Sequence, residues 1–474
     1  MTCNQLMKTR HICLTLATSL SFSLFALIGR ADDITAAQSG NWSDTNTWVG
    51  GIVPGVNDDA DIPGGISVIV DTNVVIQFIY DTGTVTMSPN STLDLTSDNA
   101  ISTATTLDAS AIGNTVIYSA NAHFATRTSY YNLTFDGLGT FYNGDSDVGP
   151  ATAVSIAHDL TISGTASVRA GADITIGGNL TIGTTNMFTY FDCSVATIIV
   201  KSNIVVNGLL EDLDGRMTNS DGGLEANIFK GNVTINPGGI WNISDVATWS
   251  VGGSFTNFGT IKSAGYGSIS FDGTGTIAGS KALKIPTMTV NGTYTIADNI
   301  TLTTNTPSFN GTLIFDLANT NKIIQQYVAS TNQLPSYTNM YFGGNLVVID
   351  TGSAPMSGNV YQLFSAHSYA GGFASTSFPS LPAGLSWVDN TLTSGSIAVT
   401  GAILGSPTLT LSRSGGVLTL SWDSAAYPGY SVQGQTNAAG VHSNWGPTGS
   451  GTVSPFMIAI NPTNPPVFFR LSNP

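Results

Sequence analysis

The chain has 474 residues, of which 42% are hydrophobic and 9% charged, with 53 glycines and a formal net charge of −15. This composition excludes a disordered chain, which would combine low hydrophobicity with high charge. The acidic balance excludes nucleic acid as a partner, because phosphate binding requires clustered Lys and Arg. A chain of this length is too long for one ordinary core, and its composition is typical of a solenoid, which grows in one dimension.

Residues 1–31 have the pattern of an export signal. Lys8 and Arg10 precede an apolar run from Ile12 to Ile28, and small residues at Gly29 and Ala31 mark a cleavage site after Ala31. We therefore expect a protein that is secreted or held at a bacterial cell surface, with no membrane insertion after the signal is removed. An uncleaved membrane anchor is the alternative, because the apolar run is near the minimum for spanning a bilayer.

Cleavage leaves one thiol in the mature chain. Cys3 and Cys13 are removed with the signal, and Cys193 remains. A single cysteine cannot form an internal disulfide, so stability is expected to come from stacking and from ladder hydrogen bonds. We expect Cys193 to be buried and slow to react with thiol reagents.

Residues 32–65 are expected to form an N-terminal cap. The segment contains Trp42, Trp48 and Pro54, followed by an acidic cluster at 58–61. It resembles the opening segment of many exported bacterial β-helix proteins. A cap is physically reasonable there, because the first coil of a solenoid would otherwise expose apolar side chains and unpaired backbone.

A short phrase recurs along the next part of the chain. It opens on a small acid or amide, alternates apolar residues with Thr and closes on Gly, as in Asp159-Leu-Thr-Ile-Ser-Gly. Copies begin at Asn132, Asp159, Asn179, Asn203, Asn232, Ser268 and Thr287, with a degenerate copy at Gly253. Two or three such strands per period are what one coil of a parallel β-helix needs.

The repeat predicts an all-β fold with a right-handed parallel β-helix over 66–310; a β-propeller is the alternative. Period-2 alternation places one side chain of each pair inside the helix and the next outside. The positions expected inside are Leu160, Ile162, Ile174, Ile176, Leu180, Ile182, Val233 and Ile235. Those expected on the outer face are Thr161, Thr175 and Thr181.

Residues 311–404 are expected to form the terminal coils. Gly358-Asn-Val-Tyr-Gln-Leu-Phe-Ser-Ala and Leu381-Pro-Ala-Gly-Leu-Ser-Trp resemble phrases that close the passenger of autotransporter-associated β-strand-repeat proteins. The resemblance implies a pectin-lyase-like β-helix and an adhesin-like role at the cell surface. Only about seventy residues follow, so we expect no translocator barrel of the kind that completes an autotransporter.

Residues 405–474 are expected to form a small antiparallel β-sandwich. Five short alternating segments fit a module of fibronectin-III-like size. The sequence from Leu418-Thr-Leu-Ser-Trp to Phe468-Phe-Arg-Leu resembles a C-terminal domain shared by exported bacterial proteins. That resemblance implies a role in secretion or surface sorting.

Three acidic clusters are candidates for chemistry or cation binding: 58–61, 145–147 and 211–214. In the last cluster Asp212 and Asp214 would share a strand face next to Glu211, and a glycan hydrolase needs two carboxylates about 5 to 10 Å apart. The competing interpretation is a polar turn, because Asp and Gly favour turns. The cluster at 145–147 lacks the glycine and the final carboxylate of a calcium loop.

The tryptophan and histidine side chains indicate a functional site no more strongly than the acidic clusters do. Trp241 and Trp249 suit either stacking on sugar rings or packing in the core, and core packing is the expectation. The four mature histidines show no paired metal-binding spacing; they are His123, His158, His367 and His442. The sequence therefore predicts no catalytic, cofactor-binding or metal-binding residues.

The resulting hypothesis is a secreted or cell-surface solenoid with a structural or adhesive role and no catalysis. The alternative is a polysaccharide lyase or hydrolase, or a glycan-binding protein, on the same scaffold. The mature chain has few basic residues to hold a uronate anion, which disfavours a lyase. Extracellular glycans or cell-surface components are the expected partners, and the protein is expected to be a monomer.

Overall fold

A computed structural model describes residues 32–98, 100–120, 129–143, 153–170, 173–183, 190–192, 197–211, 226–243, 248–263, 268–279, 283–285, 287–303, 306–326, 339–401, 406–425, 427, 429–436, 441, 444–448, 453–461, 463 and 465–472. The predicted signal peptide, residues 1–31, lies outside this range. Within the described residues, no helix combines the length and apolar character needed to cross a bilayer.

Successive strands pair in parallel and coil around one core, so the predicted parallel β-helix is confirmed. The described coils contribute strands to three faces. Face 1 is a sheet of fourteen strands. They are Val74–Ile76, Thr92–Leu95, Thr115–Tyr118, Asn132–Phe135, Leu160–Ile162, Leu180–Ile182, Ile204–Val206, Val233–Ile235, Phe255–Asn257, Thr274–Gly279, Thr293–Ile296, Thr312–Asp316, Asn345–Ile349 and Ser375–Ser377.

Face 2 begins with four strands and continues into a sheet of eleven, with a single bridge between Ala109 and Tyr130 joining the two parts. The first part contains Gly40–Asn41, Ser67–Val70, Thr84–Met87 and Thr106–Asp108. The second contains Ser129–Tyr130, Val154–Ile156, Ile174–Ile176, Ile198–Val200, Ala226–Phe229, Thr248–Val251, Ser268–Phe271, Thr287–Val290, Ser308–Phe309, Asn339–Phe342 and Ser368–Gly371.

Face 3 consists of three shorter parallel sheets. The first contains Asp33–Thr35, Asp59–Asp61 and Phe78–Tyr80. The second contains Leu138–Asn143, Thr165–Ala170, Tyr190–Asp192, Leu209–Glu211, Ile240–Ile243 and Thr260–Ser263. The third contains Leu283–Ile285, Ile300–Leu302, Ile323–Gln325 and Phe364–Ser365.

The N-terminal segment both caps the helix and contributes strands to it. Its strands at Asp33–Thr35 and Asp59–Asp61 pair in parallel with each other and with Phe78–Tyr80. Two short 3-10 turns lie between them, at Thr45–Thr47 and Val49–Gly51. The Trp42 and Trp48 rings meet edge to face at 5.0 Å and are almost completely buried, so they cover the interior of the first coil.

The side chains of the strands point inward and outward as the alternation predicts. All eight apolar positions expected inside are at most 2% exposed. The threonines between them, Thr161, Thr175 and Thr181, lie on the half-buried outer face. The recurring phrase is not restricted to one face, because the copies at Ser268 and Thr287 lie in face 2, whereas those from Asn132 to Asn232 lie in face 1.

Antiparallel pairing replaces parallel pairing near the C-terminus. Val360–Gln362, Leu385–Asn390 and Ser396–Gly401 form one antiparallel sheet beside the last coils. The predicted sandwich follows as two three-stranded antiparallel sheets with a separate small core at Leu420, Trp422 and Val432. One sheet contains Thr410–Ser414, Val417–Ser421 and Phe456–Ala459, and the other contains Ser431–Thr436, Gly446–Pro447 and Val467–Ser472.

Candidate functional site

A column of amide and acid side chains runs along the start of the face 1 strands and ties each coil to the next. The Asn132 side-chain oxygen accepts a hydrogen bond from the Asp159 backbone N–H at 3.2 Å, and the Asp159 carboxylate accepts from the Asn179 N–H at 2.7 Å. The same bond continues from Asn179 to Asn203 and from Asn203 to Asn232, each at 3.1 Å. The opening residue of the phrase is therefore a structural acceptor.

This column was not recognised in the sequence, although its signal was present in the small acid or amide that opens each copy. Aspartates outside this column also accept hydrogen bonds from a neighbouring coil. Asp61 accepts from the Thr35 hydroxyl at 3.1 Å, and Asp173 accepts from the Thr197 backbone N–H at 3.0 Å. Most of the described carboxylates that form hydrogen bonds thus accept them from N–H and O–H groups of the same fold.

Accepted hydrogen bonds lower the pKa of three aspartates. Burial by itself would raise the pKa of the Asp71 carboxyl, but the hydrogen bonds that it accepts from Ser43 outweigh burial and lower the pKa. Bonds from Ser250, Ser270 and Asn291 lower the pKa of Asp272 in the same way. The pKa of Asp316 is also lowered, by bonds from Thr351 and Ala318.

The acidic cluster at 58–61 contains the one described aspartate whose pKa is shifted upward. Burial raises the pKa of Asp59, and the negative charges of Asp33 and Asp58 raise it further. Asp58 itself accepts a hydrogen bond from the Gly55 backbone N–H at 2.8 Å, as a turn residue does. Within the described residues no group of three or more His, Cys, Asp or Glu side chains has a metal-binding arrangement.

An aromatic pair lies beside this cluster on the outer surface of face 3. Phe78 and Tyr80 are stacked with their ring centroids 5.9 Å apart. In register, Phe78 neighbours Asp59, which neighbours Asp33, while Tyr80 neighbours Asp61. Burial raises the pKa of the Tyr80 hydroxyl, and the surrounding carboxylates, Asp61 first, raise it further. Sequence analysis missed this grouping because its members lie about twenty residues or more apart.

The other sequence candidates divide into buried, exposed and undescribed positions. Trp241 and Trp249 are completely buried and meet edge to face at 5.1 Å, which confirms core packing and removes them from any sugar-binding surface. The clusters at 145–147 and 212–214 lie outside the described residues, as does the Glu211 side chain. Cys193, His123 and His442 also lie outside them.

One described histidine joins the amide column from the surface. The His158 ring stacks on Tyr131 at 5.4 Å, and its Nδ1 lies 3.1 Å from both the Asp159 carboxylate and the Asn132 side-chain oxygen. These contacts place it as a polar neighbour of the column. His367, near the last coils, also has an interaction partner.

The opposite pKa shifts predict two separate effects of pH on stability. Asp272 binds protons less tightly in the folded state, so its contribution to the free energy of unfolding is present above the unfolded pKa of about 3.9 and is lost below it. Asp59 binds protons more tightly when folded, so its protonation stabilises the fold as pH falls towards about 4. Urea titrations from pH 7 to pH 2.5 should show Asp272→Asn with a shallower loss of stability below about pH 4.

The matched variant Asp59→Asn should change the pH dependence of stability between pH 7 and about pH 4. It should remove the small gain in stability in that range and leave the loss at lower pH in place. Identical pH profiles for the wild type and both variants would contradict the assigned directions of the two shifts.

Comparison of the chain with protein-family models, with curated proteins and with solved structures gave no match in any of the three.

Proposed function

We propose that this protein is an exported β-solenoid with a structural or adhesive role at or outside the cell surface, and that it performs no catalysis. The observation that supports this role most directly is the use of its carboxylates. Asp71, Asp272 and Asp316 accept hydrogen bonds that hold neighbouring coils together. Hydrogen bonds that lower a carboxyl pKa are the opposite of what a general acid needs, because that acid must keep its proton near neutral pH.

Export and the choice of partner belong to the same proposal. The signal-like residues 1–31 support secretion, and the resemblance to autotransporter-associated β-strand-repeat proteins supports an adhesin-like role. A solenoid whose outer face carries many Thr, Ser and Asn side chains suits hydrogen bonding to extracellular glycans or surface components. Fractionating producing cells and locating the protein by immunoblot tests the export step.

One observation favours a second candidate function, hydrolysis or binding of a glycan on face 3. Asp33 and Asp59 are register neighbours on adjacent parallel strands whose backbones are about 4.8 Å apart, and the charge of Asp33 contributes to the raised pKa of Asp59. Retaining glycosidases use carboxyl groups about 5 to 5.5 Å apart, one of them with a raised pKa. The raised pKa of Asp59 is in the direction that such an acid needs. The stacked Phe78 and Tyr80 rings beside it offer an aromatic surface for a sugar ring.

Incubation with polysaccharides tests the catalytic form of the second function against the structural role. The chain from Asp32 to Pro474 is mixed with neutral and acidic polysaccharides, and new reducing ends and unsaturated uronate absorbance are followed. We expect neither signal from the wild-type chain. Turnover that is lost in Asp59→Asn and retained in Asp108→Asn would establish the enzyme on face 3, since Asp108 is an exposed aspartate bonded to Ser110. Loss in Asp212→Asn or Asp214→Asn would place the site in the 211–214 cluster.

A further inference from the structure

The C-terminal sandwich contains an open apolar groove between its two sheets. The groove has a volume of about 700 Å³ and is lined by Leu418, Phe456, Ile458, Val467 and Phe469. Phe456, Ile458 and Phe469 point towards the small core but are only partly buried. Pockets that hold small ligands typically measure about 300 to 1,000 Å³, so the groove is large enough for several side chains. The module therefore leaves part of its own core uncovered.

Exposed apolar side chains also line this groove, together with the polar Thr448 and Asn461. Met457 is 66% exposed and Val467 is 41% exposed. Contiguous exposed apolar surface of this kind marks interaction sites in soluble proteins. The groove lies between strands that end their sheets, because Phe456–Ala459 and Val467–Ser472 each pair with a single neighbouring strand.

A matching apolar projection occurs in the N-terminal cap. Val49, Ile52 and Val56 lie within eight residues on the loop after Trp42 and are 54% to 61% exposed. The loop is held in place, because the Trp42 indole N–H donates to the Pro54 carbonyl at 3.3 Å and the Trp48 indole N–H donates to the Trp42 carbonyl at 2.8 Å. These side chains are thus presented on a supported loop.

The charges of the two regions are complementary. Residues 32–126 contain eleven aspartates and neither Lys nor Arg. Residues 405–474 contain Arg413 and Arg470 against a single acid, Asp423. Opposite net charge steers two surfaces together and disfavours contact between like ends. The acidic cap of one copy is therefore suited to the weakly basic module of another.

We propose that copies of this chain associate head to tail, with the Val49, Ile52 and Val56 loop of one copy seated in the apolar groove of the next. The two surfaces differ, so the contact is heterologous. It adds further copies into a filament, or into a ring where the rotation between copies closes, and does not end at a two-fold dimer. This assembly goes beyond the proposed structural role and does not depend on it. It replaces the expectation of a monomer.

Sedimentation velocity on the chain from Asp32 to Pro474, over a range of concentrations, tests the proposal. The average mass should rise with concentration to at least twice that of one chain, and the association should weaken as salt screens the charges. Ile52→Asp and Val467→Asp change exposed side chains, so both variants should fold, and each should remain a single chain. Ile112→Asp, a change at a 72% exposed side chain elsewhere in the acidic region, should associate as the wild type does.

Mixing the two single variants distinguishes this contact from other modes of association. Ile52→Asp retains a working groove and Val467→Asp retains a working loop, so an equimolar mixture should form a dimer and stop there. A wild-type chain that stays monomeric at every concentration would overturn the proposal. So would single variants that associate as the wild type does, because the contact would then lie elsewhere or join like surfaces.

Discussion

Replacing Ile176 by Asp is expected to produce the largest loss of stability among the variants considered for this protein. Ile176 is completely buried on face 2, between Ile156 and Val200 in register. The change removes about 1.5 to 3 kcal/mol of apolar burial and places an unpaired carboxyl among aliphatic side chains. We expect a total loss above about 4 kcal/mol, seen as a large fall in the urea midpoint followed by far-UV circular dichroism.

The neighbouring residue provides a matched control. Thr175 lies on the half-buried outer face of the same strand, so Thr175→Asp introduces the same charge without burying it in the core. Its cost should stay within about 1 kcal/mol, as for most surface changes. Equal losses for the two variants would show that the assigned inside and outside faces are not correct.

Replacing Gly344 by Ala is expected to distort a corner of the helix. Gly344 lies between Asn339–Phe342 of face 2 and Asn345–Ile349 of face 1. A Cβ atom there would overlap the Gly311 carbonyl oxygen and lie 2.6 Å from the carbonyl carbon of Asn310. Both neighbours are backbone atoms that cannot rotate away. We expect a loss of about 3 kcal/mol, the upper range for overpacking.

The adjacent glycine isolates the effect of this close approach. A Cβ at Gly343 would meet its nearest neighbour, the Asn310 side-chain oxygen, at 3.6 Å, which is ordinary contact. Gly343→Ala should therefore change the urea midpoint by far less than Gly344→Ala does. If both alanine variants were as stable as the wild type, the backbones of successive coils would have to be farther apart at this corner than the structure shows.

The same constraint recurs at other corners between face 2 and face 1 and explains the glycine that closes the phrase copies at Ser268 and Thr287. Gly273, Gly292 and Gly311 occupy equivalent corners, and a Cβ at each would overlap the carbonyl oxygen of the glycine one coil earlier. The backbones approach one another closely at this turn, and glycine alone provides the space. The glycine that was expected merely to end a strand is thus required by the coil beneath it.

The sequence by itself determined the fold class and the inner and outer faces of the strands. Alternation with a period of two is a local property, so Leu160, Ile174 and Val233 could be assigned to the core without knowledge of their neighbours. The completely buried Trp241 and Trp249 also followed from the general tendency of large aromatic side chains to be buried. These predictions required only the order of residues within one strand.

Contacts between coils were decided by the tertiary structure alone. The bond from Asn203 to Asn179 and the neighbouring positions of Asp33 and Asp59 join residues 24 and 26 apart in sequence. The loop lengths vary from coil to coil, so the spacing of the phrases does not reveal which residues stack. Backbone hydrogen bonding sets the register between coils, and that register determines which carboxylates hold the fold together and which lie beside an aromatic pair.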